Sequence, residues 1–323
     1  MMFLILFLLQ ASPLLDLPVK QVVEIIPITE NKILIAHNTE PDVVSILNTA
    51  SGEIIQTVIR KGKGPSEAIQ IDAMGMDNKT GMVYVCADYT KIMVLSKDFK
   101  LVKERPLQLF GNSISFSNDF IFIGLKSHLT DYKQNVFPAC IVIEKKSLSI
   151  VDTLFLNTSN FELDKVNQIS QIQNIPVYSN VTFLTNSLFV SVNGFPYLFK
   201  YETVKKTSIP KITKLPDFEF NFKVVNKKGI GVGLQIPSVC ISSSKVSDNE
   251  FIISFGNVYQ EMPYGFYKVS FDKVKGNQSI TKNVIADFPE KNSSYNISSG
   301  NNGIYIFDSL HSFANNVFFM RLK

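Results

Sequence analysis

The sequence predicts an all-β protein, a six-bladed β-propeller built from four-stranded antiparallel blades. Three observations lead to this prediction. A polar turn followed by an apolar, β-rich strand recurs six times, a second such strand follows each copy, and no long amphipathic helix pattern interrupts the series. The chain has 323 residues, 45% of them hydrophobic and 19% charged, so it can bury a large core and is not disordered.

The repeated unit is a short polar turn that leads into a strand with many β-branched and aromatic residues. Its six copies read ENKILIAHN from Glu30, KTGMVYVCAD from Lys79, SNDFIFIGLK from Ser117, TNSLFVSVNG from Thr185, DNEFIISFGN from Asp248 and NNGIYIFDSL from Asn301. The strands that follow them read DVVSIL, KIMVLS, CIVIEK, YLFKYE, GFYKVS and NVFFMRL. Short strands such as IDAMGMD, NSISFS, NVTFLT and SVCISS precede several copies. A four-stranded unit cannot bury both faces alone, so the units are expected to stack around an axis.

Closure of the ring requires an outer strand for the last unit, because the sequence ends after that unit's third strand. We expect the missing strand to come from residues 16–22, before VEIIPIT forms the first inner strand. Elsewhere, residues 158–169 are the best local helix candidate. The glycines of KKGIGVGLQIP (Gly229, Gly231 and Gly233) predict a flexible inserted loop before the fifth blade.

The N-terminal stretch MMFLILFLLQASPLLDLPVK begins with an unbroken apolar run over residues 1–9. This run is too short to cross a bilayer and has the length of a secretion-signal core. We therefore expect residues 1–15 to be a signal-like leader that is cleaved between about Ser12 and Lys20, and residues 16–323 to form the propeller domain. Because no Lys or Arg precedes the run, a buried first strand is the alternative. The expected location is extracytoplasmic, periplasmic or secreted, and without a cysteine before Cys86 we expect no lipid anchor.

Charge and cysteine content exclude several classes of function. The formal net charge is +4, and the basic residues are scattered rather than concentrated in a stripe, so no nucleic-acid partner is expected. The cysteines Cys86, Cys140 and Cys240 lie in or beside apolar strands at spacings that match no zinc or redox motif. They are interpreted as buried thiols, and no cofactor is expected.

The segment RKGKGPSEA contains a Gly-rich turn formed by Gly62, Gly64, Pro65 and Glu67. A phosphate loop would continue into a helix, whereas this turn leads into the strand-like IDAMGMD. The turn is therefore interpreted as the corner between two blades, where the glycines permit tight backbone angles and the proline stiffens the chain.

The same segment resembles two known families. A Gly-Pro turn before an inner strand, followed by Tyr84-Val85-Cys86-Ala87-Asp88 at the end of the next strand, resembles the NHL-type repeat. The turn is also similar to the first inter-blade loop of the TolB-like six-bladed propellers, which reads roughly Gly-Arg-Gly-Pro-Gly-Glu, with Ser66 here in place of the last glycine. The resemblance implies a fold and an extracytoplasmic location, and implies no reaction.

The predicted strand order separates two faces of the ring. With strands A to D numbered outward from the axis, the B-to-C and D-to-A connections share one face, named here the loop face, and the short A-to-B and C-to-D turns share the turn face. The long B-to-C connections are 125–138, 256–263 and 308–316, so the loop face is the expected binding face. Its candidate ligand-binding residues are His37, Asp88, His128, Tyr132, Asn193, Asn257, Tyr259, Tyr264, Asp308 and His311.

Two classes of function fit this pattern. A binding or scaffold propeller would engage a protein, peptide or glycan through the loop face. A hydrolase or lyase would use a metal held by the His, Asp and Asn side chains to act on a lactone, ester or glycosidic bond. Asp and Asn at loop starts also satisfy turn backbone groups, which is their ordinary role. Few acidic or His residues occur at the starts of inner strands, so the sequence favours binding and assigns no catalytic residue.

Overall fold

The structure is a computed structural model, and the regular elements of its described residues are all β-strands. The residues described are 12–16, 19, 21–129, 136–157, 175–193, 195–202, 209–216, 223–227, 231–235, 242–255, 265–272, 277–284, 295–300, 303–308 and 316–321. Since no helix occurs in these ranges, the predicted all-β class is confirmed for them. The helix candidate at 158–169 lies outside the described residues.

The strands are short and follow one another closely along the chain. The first fourteen are β1 (Ser12–Asp16), β2 (Val22–Thr29), β3 (Lys32–His37), β4 (Asp42–Asn48), β5 (Ile54–Lys61), β6 (Glu67–Ala68), β7 (Ile71–Asp77), β8 (Met82–Ala87), β9 (Lys91–Leu95), β10 (Leu101–Pro106), β11 (Gly111–Phe116), β12 (Phe120–Leu129), β13 (Val136–Glu144) and β14 (Ile150–Asn157). The others are β15 (Ile175–Leu184), β16 (Ser187–Val192), β17 (Tyr197–Tyr201), β18 (Lys211–Lys214), β19 (Lys223–Lys227), β20 (Gly231–Gln235), β21 (Ser243–Ser247), β22 (Glu250–Phe255), β23 (Gly265–Phe271), β24 (Gln278–Val284), β25 (Tyr295–Gly300), β26 (Gly303–Asp308) and β27 (Asn316–Arg321).

The strands pair mainly with their neighbours in sequence. β7 to β10 form a four-stranded sheet, as do β21 to β24, and β25, β26, β27 and β1 form a third. β2 to β6 form a five-stranded sheet in which the two-residue β6 lies parallel to β5. β11 to β18 form an eight-stranded sheet, because the long β12 pairs with β11 and β13 and, near its C-terminal end, with β15. The repeated strands predicted from the sequence are β3, β8, β12, β16, β22 and β26.

Six strands of the described chain contact one another in a closed cycle. β2 contacts β7, which contacts β11, and the cycle continues through β15, β21 and β25 back to β2. Each of these strands precedes a repeated strand in the chain. The sheets are therefore arranged around a common axis, and these six are named here the inner strands.

The hydrophobic core is divided into layers between neighbouring sheets. Along β8, Val83 and Val85 pack in a cluster with residues of β2 to β4, whereas Tyr84 and Cys86 pack in a cluster with residues of β12 and β13. This division follows from the strand repeat, because successive side chains point to opposite faces. The predicted buried thiols are confirmed for Cys86 and Cys140, and Cys240 lies outside the described residues.

Serine hydroxyls join inner strands that belong to different hairpins. Ser113 Oγ in β11 accepts a hydrogen bond from Val181 N in β15 at 2.9 Å, and Ser115 Oγ accepts one from Phe183 N at 2.7 Å. An inner strand has an edge that no hairpin partner covers, and a buried amide on that edge requires an acceptor. The serine hydroxyls supply this acceptor, so no further strand has to be inserted between the two inner strands.

The same arrangement recurs further around the axis. Ser244 Oγ in β21 accepts from Ser299 N in β25 at 2.7 Å, and Ser242, just before β21, accepts from Ile297 N at 2.8 Å. The hydroxyl of Ser298 in β25 then donates to the carbonyl oxygen of Ile25 in β2. Hydroxyl contacts therefore also join the last sheet to the first.

The ring is closed by an N-terminal strand, as expected, but at a different position. β1 pairs antiparallel with β27, with Ser12 opposite Phe319 and Asp16 opposite Asn316. The strand was expected at 16–22. Residue 22 instead begins β2, because Val19 and Val22 are buried against the last sheet and bring the chain to the axis. β1 overlaps the predicted leader 1–15. The leader boundary stays a prediction, and cleavage between Ser12 and Lys20 would remove part or all of β1.

The expectation of a flexible loop at KKGIGVGLQIP is wrong for residues 231–235. They form β20, which pairs antiparallel with β19 over the whole length of both strands. The alternation of Gly with Val and Leu in GVGLQ suits a strand, in which every second residue lies on the same face. The predicted strand SVCISS lies mainly outside the described residues, and the inner strand that follows it is β21.

Deleting residues 1–16 should destabilise the chain, because it removes β1 and leaves the outer edge of β27 unpaired. The expected loss in the free energy of unfolding is about 2–4 kcal/mol, from roughly 1 kcal/mol per lost ladder hydrogen bond. Chemical denaturation measures it. Deleting only residues 1–11, which precede β1, is the control and should cost much less. Equal losses for the two deletions would show that β1 does not close the ring.

Candidate functional site

In the Gly-rich corner between β5 and β7, the side-chain carboxylate of Glu67 is bound by the backbone. Gly64 N donates a hydrogen bond to Glu67 Oε2 at 2.7 Å. A Cβ atom on Gly62 would lie 2.1 Å from the same oxygen. The Glu67 carboxylate therefore occupies the position that a phosphate would need. The reason expected for the glycines is wrong: neither has a positive φ, and the left-handed residue of this turn is Ser66, at φ 65°. Glycine is required here to leave space for Glu67.

His37, at the end of β3, is buried and uses both ring nitrogens within its own sheet. Nδ1 accepts a hydrogen bond from Thr39 N at 3.3 Å, so the Nε2 proton is directed at Ser45 Oγ, 3.1 Å away. Burial lowers the pKa of His37 to about 4, although the charge of Asp42 raises it. The imidazole is therefore neutral near pH 7 and has no free nitrogen for a metal ion.

Asp88, directly after β8, supports the backbone of a neighbouring loop. Its Oδ1 accepts hydrogen bonds from Ile69 N at 2.8 Å and from Gln70 N at 3.0 Å, and its Oδ2 lies 3.7 Å from the ammonium of Lys91. Asp88 and Tyr89 both have a φ of 58°, in the left-handed region that residues other than glycine seldom adopt. Such backbone strain persists only where the surrounding contacts fix it, and it is common at functional sites.

The other predicted site residues contribute little to a described site. Asn193 is partly buried in the turn after β16, and its Oδ1 has no hydrogen-bond partner in the structure. His128 and Asp308 are described only as strand backbone, and Tyr132, Asn257, Tyr259, Tyr264 and His311 lie outside the described residues. Among the described side chains, no three His, Cys, Asp or Glu residues lie together in a group that could hold a metal ion.

An exposed apolar surface lies beside Asp88 on the loop face. It consists of Ile69, Tyr89 and Phe110, which are 43%, 38% and 54% exposed, and is named here the aromatic patch. The rings of Tyr89 and Phe110 lie 4.9 Å apart between centroids, at an angle of 32°. Sequence reasoning found Asp88 and missed these three neighbours. The available signal was an apolar side chain beside a polar residue in each of three connections, at Ile69-Gln70, Asp88-Tyr89 and Gln108-Leu109-Phe110.

Backbone contacts fix the aromatic patch in place. Tyr89 N donates to Asp72 Oδ2 at 2.8 Å, and Tyr89 O accepts from Leu109 N at 3.0 Å. Phe110 O accepts from Lys126 N at 2.7 Å. Loops from different sheets are thereby joined at the patch.

Two charged groups lie behind the patch. Burial raises the pKa of Asp72 to about 6, and the amide of Tyr89 and the charge of Lys126 act in the opposite direction. Burial lowers the pKa of the partly buried Lys126, and the charge of Asp72 raises it. The apolar surface therefore borders a carboxylate and an ammonium at the end of the axis.

A separate cavity of about 1780 Å³ opens on the turn face. Its wall includes the inner strands and the A-to-B turns, and the described side chains of His37, Asp88 and Asn193 do not line it. Many hydroxyls in or beside this wall, such as those of Ser115, Ser244 and Ser298, are engaged between inner strands. These hydroxyls are therefore already occupied by contacts within the fold.

Glu24 is an acidic side chain in the cavity wall. Its Oε1 accepts a hydrogen bond from Ile25 N at 3.0 Å. Burial raises the pKa of Glu24 to about 8, although hydrogen bonds with Ile25 and Ser298 lower it. Near neutral pH this carboxyl is therefore mostly protonated.

Comparisons with known proteins identify the fold. The chain matches no family model and no curated protein. It is similar to a Bacteroides fragilis NCTC 9343 protein described as exported, with a TM-score of 0.52, 13% identity, and coverage of 99% of this chain and 96% of that one. It is also similar to the RRP9 WD40 repeats, with a TM-score of 0.53, 9% identity and 97% coverage of both chains. A third similar structure is the β-propeller domain of Myceliophteria thermophila Cps50 (Swd1), with a TM-score of 0.51, 7% identity, and coverage of 97% and 100%.

These similarities show that the chain has the β-propeller fold, as the sequence predicted. At such low identity they show the fold alone. In the described part of the chain no helix is long and apolar enough to cross a membrane.

The raised pKa of Glu24 predicts a pH-dependent stability. Between pH 4.5 and 8 the Glu24 carboxyl of the folded chain retains a proton that the unfolded chain has released. The stability that Glu24 contributes is therefore fully present below pH 4.5 and is lost as the pH rises to about 8. Glu24→Gln keeps a neutral side chain. Near pH 8.5 the free energy of unfolding of Glu24→Gln should be about 2–4 kcal/mol higher than that of the wild type. Near pH 4.5 the two values should be about the same.

Denaturant titrations across this pH range measure the difference. Glu53→Gln, which removes a carboxylate from an exposed turn, is the matched control and should not reproduce the change. A constant difference between Glu24→Gln and wild type at every pH would contradict the assignment of a protonated Glu24.

Proposed function

We propose that the chain is a six-bladed propeller of four-stranded blades that acts outside the cytoplasm as a binding or scaffold protein. The closed cycle of six inner strands supports the blade count. On this assignment β6 is an addition to the first blade, and β12 joins the third blade to the fourth. The apolar N-terminal run, the resemblance to TolB-like and NHL-type propellers, and the similarity to a protein described as exported support the location.

The aromatic patch is the observation that carries the binding function. An exposed aromatic pair in tilted contact, next to two left-handed residues, is costly to build, and an aromatic surface is a common anchor at protein interfaces. Tyr89 also offers a hydroxyl at the edge of its ring. The partner is a protein, peptide or glycan that packs an apolar or ring surface on the patch.

The predicted site residues fit this proposal in two roles. His37 and Asp88 support the loop face through their contacts with neighbouring backbone and side chains. The other candidates would extend the binding surface beyond the patch, and they are His128, Tyr132, Asn193, Asn257, Tyr259, Tyr264, Asp308 and His311. No observation among the described residues favours the metal-assisted hydrolase or lyase.

The test is a double substitution, Tyr89→Ala with Phe110→Ala, probed on peptide and glycan arrays. Removing both rings should weaken array binding at least tenfold, about 1.4 kcal/mol, because aromatic anchors dominate such interfaces. The melting temperature should change by no more than about 2 °C, because both rings are exposed.

The matched control removes two exposed apolar side chains from the outer strand β5, Ile54→Ala with Ile55→Ala. It should leave array binding unchanged. If the β5 pair weakens binding and the patch pair does not, the loop face is not the binding face.

A further inference from the structure

Lys126, near the end of β12, has an ammonium group to which the described residues offer no hydrogen-bond acceptor. The side chain is partly buried, yet the described structure gives its ammonium no hydrogen bond and no ion pair within 4.0 Å. Two other partly buried lysines differ. Lys91 Nζ donates to Glu67 O at 2.5 Å, and Lys145 Nζ donates to Asp77 Oδ2 at 2.8 Å. A partly buried charge that lacks hydrogen bonds is unfavourable, so Lys126 requires an explanation.

The nearby carboxylates are committed to other groups. Asp72 Oδ2 accepts from Tyr89 N, and Asp72 Oδ1 accepts from the side-chain amide of Gln70 at 3.2 Å. Asp88 Oδ1 accepts from the amides of Ile69 and Gln70. Asp72 therefore interacts with Lys126 by charge and not by a hydrogen bond, and the three N–H donors of the ammonium can bind a ligand.

The surroundings of Lys126 indicate what those donors bind. Its backbone amide is hydrogen-bonded to Phe110 O, so the residue lies directly beside the aromatic patch. A ligand on the patch that brings an anionic oxygen would satisfy the ammonium and bury apolar surface at the same time. A sugar would need free acceptors for its hydroxyls, whereas both oxygens of Asp72 and Oδ1 of Asp88 already accept hydrogen bonds, and Oδ2 of Asp88 faces the ammonium of Lys91. An apolar surface beside a free cation is complementary to a peptide that carries both an apolar and an acidic side chain.

We propose that Lys126 binds a carboxylate of a partner peptide whose apolar side chain packs on the aromatic patch. This inference rests on the proposed binding function and assigns the chemistry of its ligand. It makes Lys126 a specificity-determining residue on the loop face.

The probe is an array of acetylated, amidated hexapeptides that combine Leu or Phe with Glu or Asp, each beside a counterpart in which Gln or Asn replaces the acid. The wild type should bind its best acidic peptides at least tenfold more tightly than their amide counterparts, as expected for a charge-assisted hydrogen bond. Lys126→Met should abolish this preference without weakening the amide peptides, and Lys126→Arg should retain it. Raising the salt concentration should reduce the preference.

The matched control is Lys97→Met, at an exposed turn on the opposite face, which should leave the preference intact. Equal binding of acidic and amide peptides by the wild type would overturn the inference, as would a preference that survives in Lys126→Met. Binding of uronic-acid oligosaccharides in place of any peptide, lost in Lys126→Met, would overturn the peptide class.

The double substitution at Tyr89 and Phe110 separates the two proposals. Peptide binding that depends on the patch and shows no acidic preference defeats the Lys126 inference alone. If no peptide or glycan binding depends on the patch, the binding function fails as well.

Discussion

Unpaired amides on the inner strands are the constraint on which the rest of the structure depends. Each inner strand pairs with its own hairpin on one edge and faces a different sheet on the other. Ser113, Ser115 and Ser244 supply acceptors to amides on that second edge, because a serine side chain is short enough to let two strands approach. At the β7–β11 contact, where no such bond is described, Gly75 allows close packing instead, since a Cβ there would lie 3.1 Å from Ile114 and Phe116. These contacts between inner strands set the direction of each inner strand, and so determine on which side of the ring the loop face and the turn face lie.

The layered core explains why the loop face is free to bind a ligand. Alternate side chains of one strand enter two different layers, as those of β8 do, and only a few apolar residues of the connections, such as Leu109 and Phe195, join these clusters. The connections that are described use polar groups to fix backbone, as Glu67 does for Gly64 and Asp88 does for Ile69. Other apolar side chains in the connections, such as Tyr89 and Phe110, lie outside the core clusters and are exposed.

Much of the fold was predictable from the sequence, because the period of strands and the chemistry of turns are local properties. The repeated strands and the presence of a closing N-terminal strand were found in this way. The position of β1 was not, since it depends on where Val19 packs against the last sheet. The site was predicted only in part. Asp88 stood at a loop start, but the adjacency of Ile69, Tyr89 and Phe110 arises where connections from different sheets meet, which no local pattern encodes.

Amide hydrogen exchange on the inner strands tests the central claim most directly. The amides of Val181, Phe183 and Ser299 point away from their own hairpins, and the account predicts that they exchange as slowly as amides within the paired ladders. In Ser113→Ala with Ser115→Ala, protection should fall at Val181 and Phe183 and be retained at Ser299, whose acceptor is Ser244. Fast exchange at all three amides in the wild type would contradict hydroxyl-mediated contact between the inner strands.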